Sequence, residues 1–96
     1  MKSMNFDTTR LIEMCRANDA VMVGIFGSVA RGEATDESDI DVLLKFSKRK
    51  SLLDLVRMER EISTAMGKKI ELLTEGAISP YLRDGIMRDL KVIYEA

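Results

Sequence analysis

The chain has 96 residues, one cysteine, no histidine, and a formal net charge of −1 from 15 basic and 16 acidic side chains. The balanced charge lacks the basic excess of proteins that bind nucleic acid directly, and without histidine the single Cys15 argues against a structural zinc site. No apolar run reaches membrane-spanning length and no signal-peptide pattern stands at the start, so we expect one soluble cytoplasmic domain over residues 1–96, with Cys15 as a small buried hydrophobe.

The first third of the chain predicts a helix, a strand and a second, short helix. Residues 8–17 repeat apolar side chains at helical spacing, with Asp7 or Thr8 as the N-cap. Residues 21–26 are almost wholly apolar, and their short length and valines favour a buried strand. Residues 29–31 follow a turn and predict the short helix.

A second strand and a long helix come next. Polar and apolar side chains alternate over residues 39–46, which predicts a strand. We expect Ser51 to cap a helix over residues 52–66 and Gly67 to end it. The expected buried stripe of this helix has one polar member, Glu59, and otherwise contains Leu52, Leu55, Val56, Ile62 and Met66.

The last third predicts a strand and a helix, followed by an ambiguous segment. Residues 68–74 alternate, with Ile70 and Leu72 on the face opposite Glu71. Ser79 as N-cap and a proline after it start a helix over residues 80–90. Residues 91–94 fit either a short edge strand or a helical tail. Strands that alternate with helices predict an α/β fold of the α+β type, in which a small mixed sheet of three to four strands packs against helices.

Four residues near the first two strands indicate phosphate and metal chemistry. Gly27 lets a ligand approach the backbone because it has no Cβ, and Ser28 adds a hydroxyl at a helix start, where backbone N–H groups bind anions. Asp39 and Asp41 lie two residues apart on a strand, so their carboxylates share a face and repel each other without a cation. The alternatives are an ordinary Gly-Ser turn and two solvated side chains where the strand begins.

Glu71 is the third acidic candidate. If the third strand pairs beside the second in suitable register, the Glu71 carboxylate joins Asp39 and Asp41. Three oxygen ligands together with substrate phosphates then suit one or two Mg²⁺ ions. The alternative is a glutamate that faces solvent at the edge of the sheet.

Residues 27–32 (GSVARG) and 38–42 (SDIDV) together resemble the signature of minimal nucleotidyltransferase (MNT) domains of the DNA polymerase beta superfamily. The resemblance continues through residues 68–74 and the Ser-Pro helix, and so covers nearly the whole chain. It implies a nucleotidyltransferase fold with a nucleotide-binding turn and a catalytic, metal-binding acidic triad. The turn would consist of Gly27, Ser28 and Arg31, and the triad of Asp39, Asp41 and Glu71.

Two of these positions need comment. The family usually has aspartate where this chain has Glu71, and the extra methylene carries the carboxylate further from the strand. Arg31 either positions the turn through a salt bridge to a carboxylate or contacts phosphate. Because the chain has no imidazole, Glu71 is also a candidate for the base that takes the proton from the acceptor hydroxyl.

Free-standing MNT domains of this size resemble the antitoxins of toxin–antitoxin pairs whose toxin has a HEPN domain. The resemblance implies transfer of AMP from ATP to a tyrosine of that toxin, with Mg²⁺ as the metal and no direct contact with nucleic acid or membrane. Two alternatives stay open: a non-catalytic antitoxin that neutralises the toxin by binding, and a small-molecule adenylyltransferase. The sequence leaves a hetero- or homo-oligomer open, and an exposed apolar surface on the final helix would suit either kind of partner.

Other residues are expected to have structural roles. The basic stretches 48–50 and 68–69 are predicted to lie in solvent. Met58 and Met66 are predicted to fill the core. Tyr81 and Tyr94 are predicted to pack against helices, and the alternative is that they anchor a partner.

Overall fold

The computed structural model describes residues 6–35 and 37–96. Residues 1–5 and 36, which the predicted domain includes, lie outside this description. The four strands are β1 (Ala20–Phe26), β2 (Ile40–Phe46), β3 (Ile70–Thr74) and β4 (Lys91–Glu95). The four helices are α1 (Thr8–Ala17), α2 (Gly27–Arg31), α3 (Leu52–Met66) and α4 (Pro80–Asp89), and a 3₁₀ turn at Glu75–Ala77 precedes α4.

The helix boundaries follow the capping residues that the sequence predicts. Asp7 caps α1 and accepts a hydrogen bond from the Arg10 backbone N–H at 3.0 Å. Ser51 and Asp54 form a reciprocal capping box at the start of α3, with hydrogen bonds of 3.0 and 3.1 Å. Gly67 ends α3 in the left-handed conformation with φ 68°, which costs little for a residue without Cβ. These predictions are confirmed, except that the short helix begins two residues early, at Gly27.

The four strands form one mixed sheet in the order β3-β2-β1-β4. β1 is antiparallel to both β2 and β4, whereas β2 and β3 are parallel. β4 resolves the ambiguity of residues 91–94 in favour of an edge strand. Pairing with β1 is a long-range interaction, so the local sequence could not choose between strand and helix. The predicted fold class, a small mixed sheet packed against helices, is confirmed.

The core lies between one face of the sheet and the helices α1 and α3. Its largest members are fully or almost fully buried, and the Cys15 thiol among them has its pKa raised to about 12 by burial. These members are Leu11, Cys15, Val23, Ile25, Ile40, Val42, Leu44, Met58, Ile62 and Ile70.

The predicted buried stripe of α3 is partly wrong. Leu52 and Val56 are 76% and 47% exposed. Met58, which is predicted to fill the core, is fully buried, so that prediction is confirmed. The core-facing side of the helix therefore passes through Met58 and Ile62 rather than through the first-turn leucine. Glu59 is the polar member of this side for a clear reason: its Oε2 accepts a hydrogen bond of 2.8 Å from the backbone N–H of Leu72. That contact ties α3 to β3.

The other face of the sheet carries the acidic residues. Directly paired residues on neighbouring strands point the same way, so the pairs Gly24–Leu43 and Phe26–Asp41 place these side chains on the face opposite the main core. A Cβ at Gly24 would overlap Leu90, which follows α4 directly. Helix α4 therefore lies over this face, and Leu43 is fully buried although it lies on the acidic side of its strand.

The two tyrosines have different surroundings. The prediction that Tyr81 packs against a helix is wrong, because its side chain is 97% exposed. Tyr94 packs against the core, and the Arg16 guanidinium lies 5.1 Å from the centre of its ring. In the described parts of the chain, no helix has the length and apolar character needed to cross a membrane.

Candidate active site

The parallel pairing of β2 and β3 places Asp41 directly beside Glu71. Both residues lie near the start of their strands, and their carboxyl groups are close enough for each to shift the pKa of the other. Asp39 lies just before β2, close enough for its charge to act on both. The structure therefore brings the three predicted acidic residues to one end of the sheet, on one face.

The electrostatics of this acidic cluster favour retention of a proton. Partial burial raises the pKa of Asp41, and the charge of Asp39 raises it further against the opposing effect of the Glu71 hydrogen bond and the Arg31 charge. Partial burial also raises the pKa of Glu71, together with the hydrogen bond to Asp41 and its charge. Neighbouring carboxylates repel each other, and a bound cation relieves this repulsion as a proton would.

Position 27 must be glycine because its backbone lies in contact with Asp41. It has φ +75°, a conformation that residues with a Cβ rarely adopt. A Cβ added there would overlap Oδ2 of Asp41 and lie 3.2 Å from its Cγ. The carboxylate of Asp41 is thus seated directly against the backbone of the Gly-Ser turn.

Ser28 lies in the first turn of α2, immediately after this contact, and is half-buried. The first backbone N–H groups of a helix have no partner within the helix, so they are available to an anion beside Ser28. The turn and the acidic cluster are therefore neighbours in space as well as in the predicted motif.

Arg31 forms two ion pairs at the other end of α2. Its Nε lies 3.0 Å from Oε1 of Glu33, and its Nη1 lies 2.8 Å from Oδ2 of Asp89. The second contact joins α2 to α4. This agrees with the predicted salt-bridge role of Arg31, whereas its contact with a nucleotide stays a prediction. Asp89 has no local sequence feature that would reveal it, because 58 residues separate it from Arg31.

Two of the predicted solvent-exposed lysines have specific partners. Nζ of Lys69 lies 4.0 Å from Oδ2 of Asp39, although the Lys69 side chain is 67% exposed. The spacing of two residues between Lys69 and Glu71 is the signal that sequence reasoning missed, since it places both on one side of an extended chain. Nζ of Lys50 donates a hydrogen bond of 2.9 Å to Oδ2 of Asp19, and the Lys50 side chain is largely buried. The prediction that Lys50 lies in solvent is therefore wrong.

The acidic cluster has the carboxylate oxygens that a divalent cation prefers as ligands, but its three side chains do not converge on one point. Across residues 6–35 and 37–96, no group of three or more acidic, cysteine or histidine side chains is arranged to hold a metal ion. Asp41 and Glu71 form a pair, while Asp39 lies beside Lys69. For all three carboxylates to bind one cation, the side chain of Asp39 would have to rotate away from Lys69.

A pocket of about 330 Å³ lies between the turn and α4. Its walls are mainly apolar, and the Arg31–Asp89 ion pair forms part of them. The lining residues are Phe26, Gly27, Arg31, Leu82, Gly85, Ile86 and Asp89.

Residues 9–93 match the nucleotidyltransferase domain family. The chain belongs to this family. This nucleotidyltransferase domain is 40% identical over 80 residues to a Methanocaldococcus jannaschii protein named "Putative protein adenylyltransferase MJ0435", a match that spans 83% of this chain and 86% of the relative. The resemblance to minimal nucleotidyltransferases that the two motifs predict is confirmed.

Two solved structures have a similar fold. One is a toxin–antitoxin crystal structure with AMP-PNP, with a TM-score of 0.84 and 17% identity over 94% of this chain and 74% of the other. The second contains a tri-AMPylated Shewanella oneidensis HEPN toxin in complex with an MNT antitoxin, with a TM-score of 0.73 and 16% identity over 92% of this chain and 69% of the other. At these identities the two structures establish the shared fold.

Proposed function

We propose that this nucleotidyltransferase domain transfers AMP from ATP to a tyrosine hydroxyl of a partner HEPN toxin, and that it acts in this way as an antitoxin. The observation that carries the proposal is the seating of Asp41 against Gly27 and beside Glu71. This places carboxylates next to a turn suited to phosphate. The name of the M. jannaschii relative and the AMPylated toxin in the S. oneidensis complex support the choice of reaction and acceptor.

The residues that would hold Mg²⁺ are Asp39, Asp41 and Glu71. One or two bound Mg²⁺ ions would neutralise phosphate oxygens and stabilise the charge that develops on the attacking and leaving oxygens. The raised pKa values of Asp41 and Glu71 show that negative charge is crowded at this point, where a cation would offset it. The side chain of Asp39 would leave Lys69 to complete the ligand set.

The Gly-Ser turn would bind the triphosphate, and Glu71 would accept the proton of the acceptor hydroxyl. Gly27 leaves room for the Asp41 carboxylate against the turn, and Ser28 with the first N–H groups of α2 would donate hydrogen bonds to the triphosphate. The acceptor oxygen forms a bond to the α-phosphorus, the bond from that phosphorus to the bridging oxygen breaks, and pyrophosphate leaves. The proton of the acceptor hydroxyl passes to the carboxylate of Glu71.

Arg31 would act mainly by position. Its ion pair with Asp89 at 2.8 Å holds α2 against α4, and its charge favours the ionised form of Asp41. Both effects keep the Gly-Ser turn and the Asp41 carboxylate in their relative positions. We propose in addition that the guanidinium, which is about half exposed, contacts the bound nucleotide.

The test uses the double variant D39N/D41N with purified, unmodified toxin, ATP and MgCl₂. The wild type is expected to add AMP units to the toxin, seen by intact-mass spectrometry, and EDTA is expected to abolish the addition. The double variant is expected to lose the addition while it still binds the toxin. E13Q/E61Q is the matched control, because both glutamates are exposed helix residues away from the site.

A second candidate function has one observation in its favour. Because the described residues contain no ready-made three-carboxylate group, the domain would neutralise the toxin by occlusion alone if Asp39 never left Lys69. In that case the D39N/D41N variant would still neutralise the ribonuclease activity of the toxin, and the toxin would keep its original mass. Loss of neutralisation together with loss of AMP addition would exclude occlusion.

A further inference from the structure

Helix α4 is held to the domain without any buried residue of its own. Its apolar side chains face solvent to an unusual degree: Tyr81 is 97% exposed, Leu82 61% and Met87 40%. Besides Leu90, which follows the helix, and the half-buried Ile86, two ion pairs hold it, Arg31–Asp89 and Arg83–Glu75. Exposed ion pairs contribute little to stability, so the exposed apolar side chains of this helix call for a partner.

The position of α4 separates it from the other exposed apolar group of the described residues. That group, Leu52, Leu53 and Val56, is on α3, which packs on the core face of the sheet. Helix α4 lies on the opposite face, the one that carries Asp41 and Glu71, as the packing of Leu90 over Gly24 shows. Val92 of β4, which is 49% exposed, pairs with Gly24 and lies on this face too.

The pocket under α4 links this helix to the candidate active site. It runs from Leu82 and Ile86 to Gly27, the residue against which the Asp41 carboxylate is seated. A protein acceptor that presents a hydroxyl to Asp41 and Glu71 must cover the surface beside them. Helix α4 provides the apolar surface that is continuous with that point.

We propose that the exposed first turn of α4, defined by Tyr81 and Leu82, is the docking surface for the protein acceptor of the proposed AMP transfer. This inference rests on the proposed function and names the surface that the acceptor contacts. A stable protein–protein contact buries about 800 Å² on each partner, which is far more than the pocket alone offers. The acceptor must therefore extend along the helix, which is about 15 Å long, with an apolar side chain entering the pocket near Leu82.

The experiment compares two leucine variants of the whole chain. L82D places a charge on the α4 surface, and L53D places the same charge on α3 at a leucine that is 79% exposed. Y81S is a second α4 variant, chosen because a side chain that is 97% exposed adds nothing to folding. Circular dichroism checks that each variant is folded, and isothermal titration calorimetry measures its affinity for the purified, unmodified HEPN toxin.

L82D and Y81S are each expected to raise the Kd for the toxin tenfold or more, and to lower AMP addition by the same factor at low toxin concentration. L53D is expected to match the wild type in both measurements. Binding of an ATP analogue, followed by fluorescence, should be unchanged in all three variants. A wild-type Kd for L82D and Y81S, or a larger loss for L53D, would overturn the proposal.

The same measurements separate this inference from the proposed function. If the wild type binds the toxin but adds no AMP, while L82D loses binding, the docking surface is supported and the transfer activity is refuted. If the wild type adds AMP and L82D does so equally well, the transfer is supported and the docking surface is refuted. If L82D instead converts a dimer of the isolated chain to a monomer in sedimentation and leaves toxin binding unchanged, α4 is an interface between copies, and the proposal fails.

Discussion

The substitution G27A tests whether the close contact between the Gly-Ser turn and Asp41 controls activity. Two separate penalties act on an alanine at this position. Gly27 has φ +75°, and a left-handed conformation costs a residue with a Cβ about 1–2 kcal/mol. The new methyl group would also overlap Oδ2 of Asp41 and lie 3.2 Å from its Cγ, so the carboxylate must move.

The two penalties have different readouts. For a domain of this size, 1–2 kcal/mol corresponds to a fall of about 4–16 °C in Tm. A shift of about 1 Å in a reacting group costs about a hundredfold in rate. We therefore expect G27A to unfold at a lower temperature and, well below its Tm, to add AMP to the toxin about a hundredfold more slowly than the wild type.

The variant G32A is the matched control. Gly32 has the same φ of +75°, but an added Cβ would have no atom within 4 Å. It should show the same loss of Tm by circular dichroism and keep wild-type transfer activity per folded molecule. Equal losses of activity in G27A and G32A, or full activity in G27A, would refute the role given to the contact with Asp41.

Three further predictions concern the acidic cluster and its support. The pKa of Asp41 is raised in the folded state, so the stability that its proton confers is present below its ordinary pKa of 3.8 and is lost as the pH rises through the raised value. At pH 7, D41N removes a destabilising charge that costs about 0.5 kcal/mol at a partly exposed position, so it should raise Tm by about 2–4 °C. Near pH 3.5 it should not change Tm. A lower Tm at pH 7 would contradict this. Lys69 lowers the pKa of Glu71, so K69Q should move the acidic limb of the pH–rate profile for AMP addition to higher pH, whereas an unchanged profile would show that the lysine does not act on the site. E59A leaves the backbone N–H of Leu72 without its acceptor, which should cost about 1–3 kcal/mol in urea unfolding; E59Q, which keeps an acceptor oxygen, should recover most of the loss, and E61Q should lose nothing.

Local patterns in the sequence were sufficient to predict the helices and the first three strands, and to identify the motif residues. Caps such as Asp7 and Ser51 act on backbone groups within a few residues, so the chain itself specifies where α1 and α3 begin. Strand alternation places Asp39 and Asp41 on one face for the same reason. The motif around Gly27 and Ser28 was sufficient to identify the family without any tertiary contact.

Contacts between distant segments decided what the sequence left open or misassigned. The pairing of β4 with β1 made residues 91–95 a strand, and the packing of α3 on the core left Leu52 and Val56 exposed. The parallel register of β2 and β3 brought Glu71 to Asp41, and the close approach of the turn explained why residue 27 must be glycine. Each of these depends on how elements far apart in the chain meet, because a side chain's neighbours across a sheet or under a helix are set by packing and not by its own periodicity.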